Sequence, residues 1–411
     1  MFRHFLQASA LTLAVAPAVT AQEVTRQISG QLTYLPKIAL PDTAQVTIGA
    51  QGAFQTELDL HRFQTDGAQV PFDFQLTVPK GLSGEVSATI RVKDAPWWVA
   101  QNTPFPADDT AVDLGMIRLE RFTPLAFGTR FECGGTDVEF GVMEDQATLR
   151  VNGQDFEMIP AISASGARYV SKSDDTTEVW SKGETAMITV AGEALPDCVK
   201  VDDSATPYRA GGNEPGWHVI LGPSDIEVVA DYGALTRSAP RPDVQIVSGG
   251  YVFDMPGIDA RLTVEDMLCR DDATGMPHPH RATLDIDGRA LRGCGGDPAS
   301  LLTGDAWQIQ EIAGHGIVDA ANITVLFGEK GRASGSTGCN RFTGGYDLTG
   351  ESLRFSQMGV TMMACPDALM TQERRVLDAL EQVRRFDISD NGALVLIGGP
   401  EDTPLLTTRR P

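Results

Sequence analysis

Positive charge is scarce in this sequence: 33 Lys and Arg stand against 55 Asp and Glu, for a formal net charge of −22 over 411 residues. Phosphate binding needs clustered cations, so a nucleic-acid partner is excluded. An acidic protein attracts basic partners, although the same acidity also maintains solubility. Long apolar runs are missing as well. No stretch beyond residue 21 approaches the roughly 20 apolar residues of a membrane-spanning helix. Neither a GxSxG elbow, a P-loop, an HExxH pair nor a working GxGxxG fingerprint occurs, so the chain reads as a non-enzyme. Histidine is rare, with His61, His218, His278, His280 and His315 the ones beyond the leader. His278-Pro279-His280 lacks nearby Cys or carboxylate partners, and Asp271-Asp272 offers at most a loose Ca²⁺ contact. No cofactor or metal is expected.

What is present begins with a leader. Arg3 precedes an apolar stretch from Leu6 to Val19, and Val19-Thr20-Ala21 supplies the small residues a signal peptidase needs. Residues 1–21 are therefore expected to be a cleaved signal peptide. Removal of Arg3 would bring the net charge from −22 to −23. No Cys stands near the cleavage point, so a lipid anchor is not expected, and the protein is placed in the periplasm or outside the cell.

Six cysteines follow, Cys133, Cys198, Cys269, Cys294, Cys339 and Cys365. An even count in an oxidising compartment reads as disulfides. Sequence alone allows about 15 pairings. The spacing forms three consecutive pairs, each within one segment of the chain, which predicts Cys133–Cys198, Cys269–Cys294 and Cys339–Cys365. A zinc site has no CxxC to build on.

Helical periodicity is scarce, and short alternating runs broken by Gly, Asp, Asn and Pro dominate. The expected fold class is all-β, mainly antiparallel: four small sandwich or barrel modules in tandem, with one helix near the C-terminus. In residues 22–122, Gln31–Leu35, Ala44–Ile48, Val70–Pro79 and Ser87–Val92 alternate like half-buried strands of a β-sandwich. Trp97-Trp98 serves as core or contact surface. This segment resembles the YbaY/YscW-type envelope lipoprotein domains, which implies a binding or structural module without a catalytic site.

Residues 205–300 open with Gly212-Asn213-Glu214-Pro215-Gly216-Trp217 and close with Gly293-Cys294-Gly295. They resemble an uncharacterised bacterial envelope domain with a G-x-E-P-F-W start, Gly216 replacing the aromatic before Trp217. In residues 301–411, Trp307, Gly338-Cys339-Asn340-Arg341-Phe342 and Thr361-Met362-Met363-Ala364-Cys365 resemble a META (HslJ-type) domain. Pro366 suits the first turn of its helix, where Leu369, Val376, Leu380 and Val383 share a face. Leu394–Ile397 is expected to form a buried final strand.

Residues 123–204 carry the strongest signal. Asp137–Val142 and Ala147–Val151 alternate, and Asn152-Gly153 between apolar runs marks a tight hairpin. Ser163-Ala164-Ser165-Gly166-Ala167-Arg168-Tyr169, followed by Trp180-Ser181-Lys182-Gly183-Glu184, resembles the membrane-bound inhibitors of C-type lysozyme (MliC family). Both flanking cysteines fall within the pattern. The resemblance implies a small barrel whose two loops enter the lysozyme cleft, with Ser165 and Lys182 in the inhibitory positions. Gly166 and Gly183 allow close backbone approach, Arg168 and Tyr169 support the loops, and Trp180 is expected in the core. Lys172–Thr177 is longer than the family's usual hairpin. It leaves the loops intact if it sits at a tip, and misplaces Lys182 if it shifts the register.

The chemistry agrees with that reading. Lysozyme cleaves glycosides between two carboxyl groups, one held protonated and one ionised. A competitor for the cleft needs a cation and a hydroxyl on a rigid hairpin, which Lys and Ser supply. One charge-assisted bond to a desolvated carboxylate contributes about 1.5–3 kcal/mol. From Phe131 to Cys198 there are 13 acidic and 4 basic residues, a net −9, suited to steering towards a basic enzyme. The expected partner is thus a C-type lysozyme. The alternative is a non-catalytic envelope scaffold, chaperone or stress protein, which has no use for Lys182 or Ser165.

Overall fold

The structure is a computed structural model that describes residues 24–410, apart from 94, 135, 144–145, 164, 184, 201–206, 319–321 and 329–330. The expected leader, residues 1–21, lies outside the described residues. Strands dominate, and the α-helix Asp367–Gln382 is the one α-helix among the described residues. The chain is all-β and multidomain, with four separate buried clusters.

Alternation builds each cluster. In the strand Phe72–Pro79, every second side chain from Phe72 to Val78 is buried, because successive residues of a strand face opposite ways. That strand joins Thr25–Thr33 and Val112–Arg118 in a three-stranded sheet. Thr25–Thr33 pairs in parallel with Val112–Arg118, an exception in a mainly antiparallel molecule. A five-stranded sheet that includes Gln45–Gln51 and Gly84–Val92 covers the same core. Trp98 is buried and stacked on Tyr34 at 4.3 Å, whereas Trp97 is 38% exposed.

The second cluster fills a barrel. Its sheet runs from Glu178–Lys182 through Thr129–Cys133 and Cys198–Lys200 to Thr185–Val190, and pairing of Glu178–Lys182 with Thr185–Val190 closes it. The third cluster lies inside a nine-stranded sheet with Leu235–Pro240 and Val244–Val247 at its two ends. Here the exposed Tyr232 ring lies against Gly216, and a Cβ there would meet it at 2.7 Å, so a larger side chain would have to push that ring aside. The fourth cluster is covered by the helix and by a sheet in which Thr403–Arg409 lies between Trp307–Ile312 and Leu394–Gly398.

Two sequence expectations change in the fourth unit. Val376 and Leu380 are buried on the helix, but Val383 already opens the strand Val383–Ile388. Leu394–Gly398 is followed by Thr403–Arg409, so the last strand is a later one that the Gly399–Asp402 turn brings back into the sheet. Three disulfides are present, Cys133–Cys198, Cys269–Cys294 and Cys339–Cys365.

The first, third and fourth units are joined by direct packing. The Phe54 ring meets Tyr208, Tyr251 and Phe253 edge-on at 4.9, 5.2 and 5.0 Å. The Ala53 amide donates to the Tyr251 hydroxyl at 3.0 Å, and Ser83 donates twice to Asp266. Arg270 reaches Asp387 and the Ile388 carbonyl, and Met276 is buried in the fourth core. The barrel, intervening in sequence between the first and third units, starts and ends on neighbouring strands, Thr129–Cys133 against Cys198–Lys200.

Candidate functional site

Two loops sit side by side at one end of the barrel. Residues 162–166 join Gln154–Ala161 to Ala167–Ser171, and residues 183–184 join Glu178–Lys182 to Thr185–Val190. The intervening strands keep an unbroken register from Val170 opposite Glu178 to Ala167 opposite Ser181. The end of the first loop is therefore adjacent to the start of the second.

Strand alternation decides which side chains face the core. Val179 and Ile188 are buried, and Tyr169 packs edge-on against Phe140 at 5.0 Å. Their neighbours Arg168, Trp180 and Met187 are paired across the strands and share the outer face. Lys182, two residues beyond Trp180, lies on that same face at the hairpin tip and is exposed.

Trp180 was expected in the core and is not there. It occupies the outward position next to buried Val179, and its Nε1–H donates to the Ser165 carbonyl at 2.7 Å. The bond ties one loop to the strand that carries the other. Ser165 is exposed, and Ser163 Oγ donates to the Gly166 carbonyl at 3.0 Å. Gly166 has φ +72, and a Cβ there would lie 2.4 Å from the Ser181 carbonyl oxygen. Both the positive φ and the close approach demand glycine. Gly183 also has positive φ, with nothing near its missing side chain.

Charge separates Lys182 from its neighbours. Of the 4 cations between Phe131 and Cys198, Arg150 is bonded to Asp155 at 2.6 Å and Arg168 to Glu178 at 2.6 Å. Lys172 is paired with Glu157. The Arg150 bond holds the Asp155 carboxyl below the usual carboxylate range. Among the described residues, no carboxylate pairs with Lys182. Its ammonium stands at a tip, and Glu178, on the same strand, is taken up by Arg168. Arg168 and Tyr169, by contrast, are occupied in an ion pair and in the core, and neither is at a loop tip.

The long segment Lys172–Thr177 caps the opposite end of these strands. Asp174 accepts from the Thr176 amide and from the hydroxyls of Thr176 and Thr177. Those bonds lower its carboxyl pKa. The register between Ala167–Ser171 and Glu178–Lys182 has no bulge, so the extra length leaves Lys182 in place.

Elsewhere, the Asp271 carboxylate accepts from the backbone and hydroxyl of its own turn and from Asn213, and His278 Nδ1 faces the Gly296 carbonyl. No group of three or more His, Cys, Asp or Glu arranged for a metal occurs among the described residues. No helix among them is long and apolar enough to cross a membrane. Sequence reasoning missed Trp180 as a loop tie. The alternation Val179-Trp180-Ser181-Lys182 was the signal that places it outside.

Three family models match separate parts of the chain. Residues 131–196 match the family model described as membrane-bound lysozyme-inhibitor of c-type lysozyme. Residues 23–104 match that of the type III secretion system lipoprotein chaperone YscW, and residues 300–411 match the META domain. No curated protein matches the chain. Two solved structures are similar over part of it. One is an alternative pilotin from the type II secretion system of Vibrio cholerae, 26% identical over 24% of this chain and 99% of that one, with a TM-score of 0.21. The other is a protein from Burkholderia xenovorans determined by NMR, 26% identical over 28% of this chain and 88% of that one, with a TM-score of 0.24. The chain thus joins a segment similar to lipoprotein chaperones, one similar to C-type lysozyme inhibitors and one similar to the META domain, families not known for catalysis.

Proposed function

We propose that this protein is an envelope-located inhibitor of C-type lysozyme, and that it acts by inserting Lys182 and Ser165 into the enzyme's active-site cleft. The observation that carries the reading is the state of Lys182. It is the one cation of an acidic barrel left exposed at a hairpin tip without a carboxylate partner among the described residues. A cation already paired would have to lose that partner before reaching a foreign acid; this one does not.

In the proposed complex the ammonium meets the ionised carboxylate of the cleft, and the Ser165 hydroxyl takes the place of a sugar hydroxyl or water beside it. The remaining acidic surface steers a basic enzyme towards the tip. The match of residues 131–196 to the lysozyme-inhibitor family supports the partner class. Three disulfides suit an oxidising compartment.

The full chain titrated against a C-type lysozyme tests the reading. Inhibition should be stoichiometric, and the association rate should fall steeply as salt rises. Absence of inhibition at any salt concentration would reject it. A second reading, a non-catalytic chaperone or scaffold, is favoured by the match of residues 23–104 to the secretion lipoprotein chaperone model. That reading predicts no effect on lysozyme.

A further inference from the structure

A loop that enters an enzyme cleft binds tightly only when its shape exists before binding, because ordering it on contact costs affinity. The loop carrying Ser165 has few means of its own to hold a shape. It is exposed, short, and contains Gly166 in a left-handed conformation. Within it Ser163 Oγ donates to the Gly166 carbonyl, and the neighbouring strand supplies the other ties. The Trp180 indole donates to the Ser165 carbonyl at 2.7 Å, and the Ser181 carbonyl lies against Gly166.

Trp180 is also oriented for this task by its own strand. Val179 and Ser181 alternate with it, its cross-strand partners Arg168 and Met187 stand on either side, and Lys182 follows on the same face. A large aromatic residue on the outer face of a small barrel contributes little to the core. Its polar atom is used on one group, the peptide oxygen of the proposed inhibitory serine.

We infer that Trp180 is a positioning residue: its indole N–H pre-forms the Ser165 loop and couples it to the Lys182 hairpin, so that hydroxyl and ammonium are delivered to lysozyme as one rigid unit. The inference rests on the inhibitor reading above and adds to it the group that sets the geometry. Met187, 61% exposed, and Ile162, 96% exposed at the start of the loop, flank the same surface and give it apolar contact area beside the cation.

The test uses the full chain with Trp180→Phe, which keeps the ring and removes the donor, alone and combined with Ser165→Ala or Lys182→Ala. Trp180→Phe should weaken lysozyme inhibition about tenfold, the worth of one well-formed hydrogen bond, with an unchanged thermal midpoint. In that background Ser165→Ala should cost less than about twofold more, whereas Lys182→Ala should keep its full effect. Wild-type potency in Trp180→Phe, or independent multiplying costs for Trp180→Phe and Ser165→Ala, would overturn the inference.

A second measurement does not depend on lysozyme or on the variant folding. In the free wild-type protein the Trp180 indole N–H should exchange with solvent more slowly than an unbonded indole. Fast exchange would overturn the pre-formed loop. A wild-type protein with a protected indole that fails to inhibit lysozyme would instead overturn the inhibitor reading, so the two failures are separable.

Discussion

Arg168 lies against Glu178 on the outer face of the barrel, its Nε and Nη2 both donating to Oε2 at 3.0 and 2.6 Å. Arg168, opposite Trp180 on the strand next to that of Lys182, is thereby neutralised, whereas Lys182 has no carboxylate partner among the described residues.

The Arg168 pair is half-exposed, and such pairs contribute about 0–1 kcal/mol. Arg168→Ala should therefore shift the thermal midpoint little. Inhibition should stay within about threefold of wild type, because no unpaired charge is lost from the tip. A titration against lysozyme alongside a thermal melt checks both.

The two glycines of the site should differ. Gly166 combines φ +72 with a missing Cβ that would lie 2.4 Å from Ser181 O, whereas Gly183 has φ +64 and open space. Gly183→Ala should cost about 1 kcal/mol of local strain and little inhibition. Gly166→Ala cannot keep the loop where it is, and inhibition should fall at least about tenfold. Equal losses in the two variants would contradict the close-approach argument.

Phe54 joins the first and third units through three aromatic neighbours, Tyr208, Tyr251 and Phe253. Phe54→Ala should remove about 3 kcal/mol from that contact. Calorimetry should then show the first unit unfolding ahead of the third. Among the described residues the aromatic partners of Phe54 all lie outside the barrel, so lysozyme inhibition should be unaffected.

His280 packs beside Tyr208 and Phe54 in the same junction, and burial holds its imidazole below the usual range, partly opposed by the charge of Asp266. The unfolded chain takes up a proton near pH 6.5, about the ordinary histidine value, where the folded chain does not. Stability should consequently fall as pH drops below about 6.5, and level off once the folded histidine also protonates. Thermal midpoints between pH 7.5 and 5 should show this slope, and His280→Gln should flatten it.

Much of this was legible in the sequence, and the parts that were not share a cause. The Asn152-Gly153 turn was readable because both residues adopt positive φ, as the tight hairpin between Val151 and Gln154 requires. The barrel strands were readable from alternation alone. Trp180 was misplaced because an aromatic residue in a strand was assigned to the core by type, when the alternation with Val179 already pointed it outward. The docking of Phe54 had no local signal. Its backbone is left-handed at φ 56, and its partners lie more than 150 positions along the chain, so only the folded molecule brings them together. The helix boundary at Gln382 was missed because Val383 continues the apolar spacing while its backbone has already turned into a strand.

The most direct measurement compares two lysines of the same barrel. Lys182→Ala removes the exposed ammonium at the tip; Lys172→Ala removes one that is paired with Glu157 at the opposite end. If the tip cation enters the lysozyme cleft, Lys182→Ala should raise the inhibition constant by about ten- to a hundredfold, the worth of a charge-assisted bond. Lys172→Ala should leave that constant unchanged. Equal inhibition by both variants and the wild type would contradict the account.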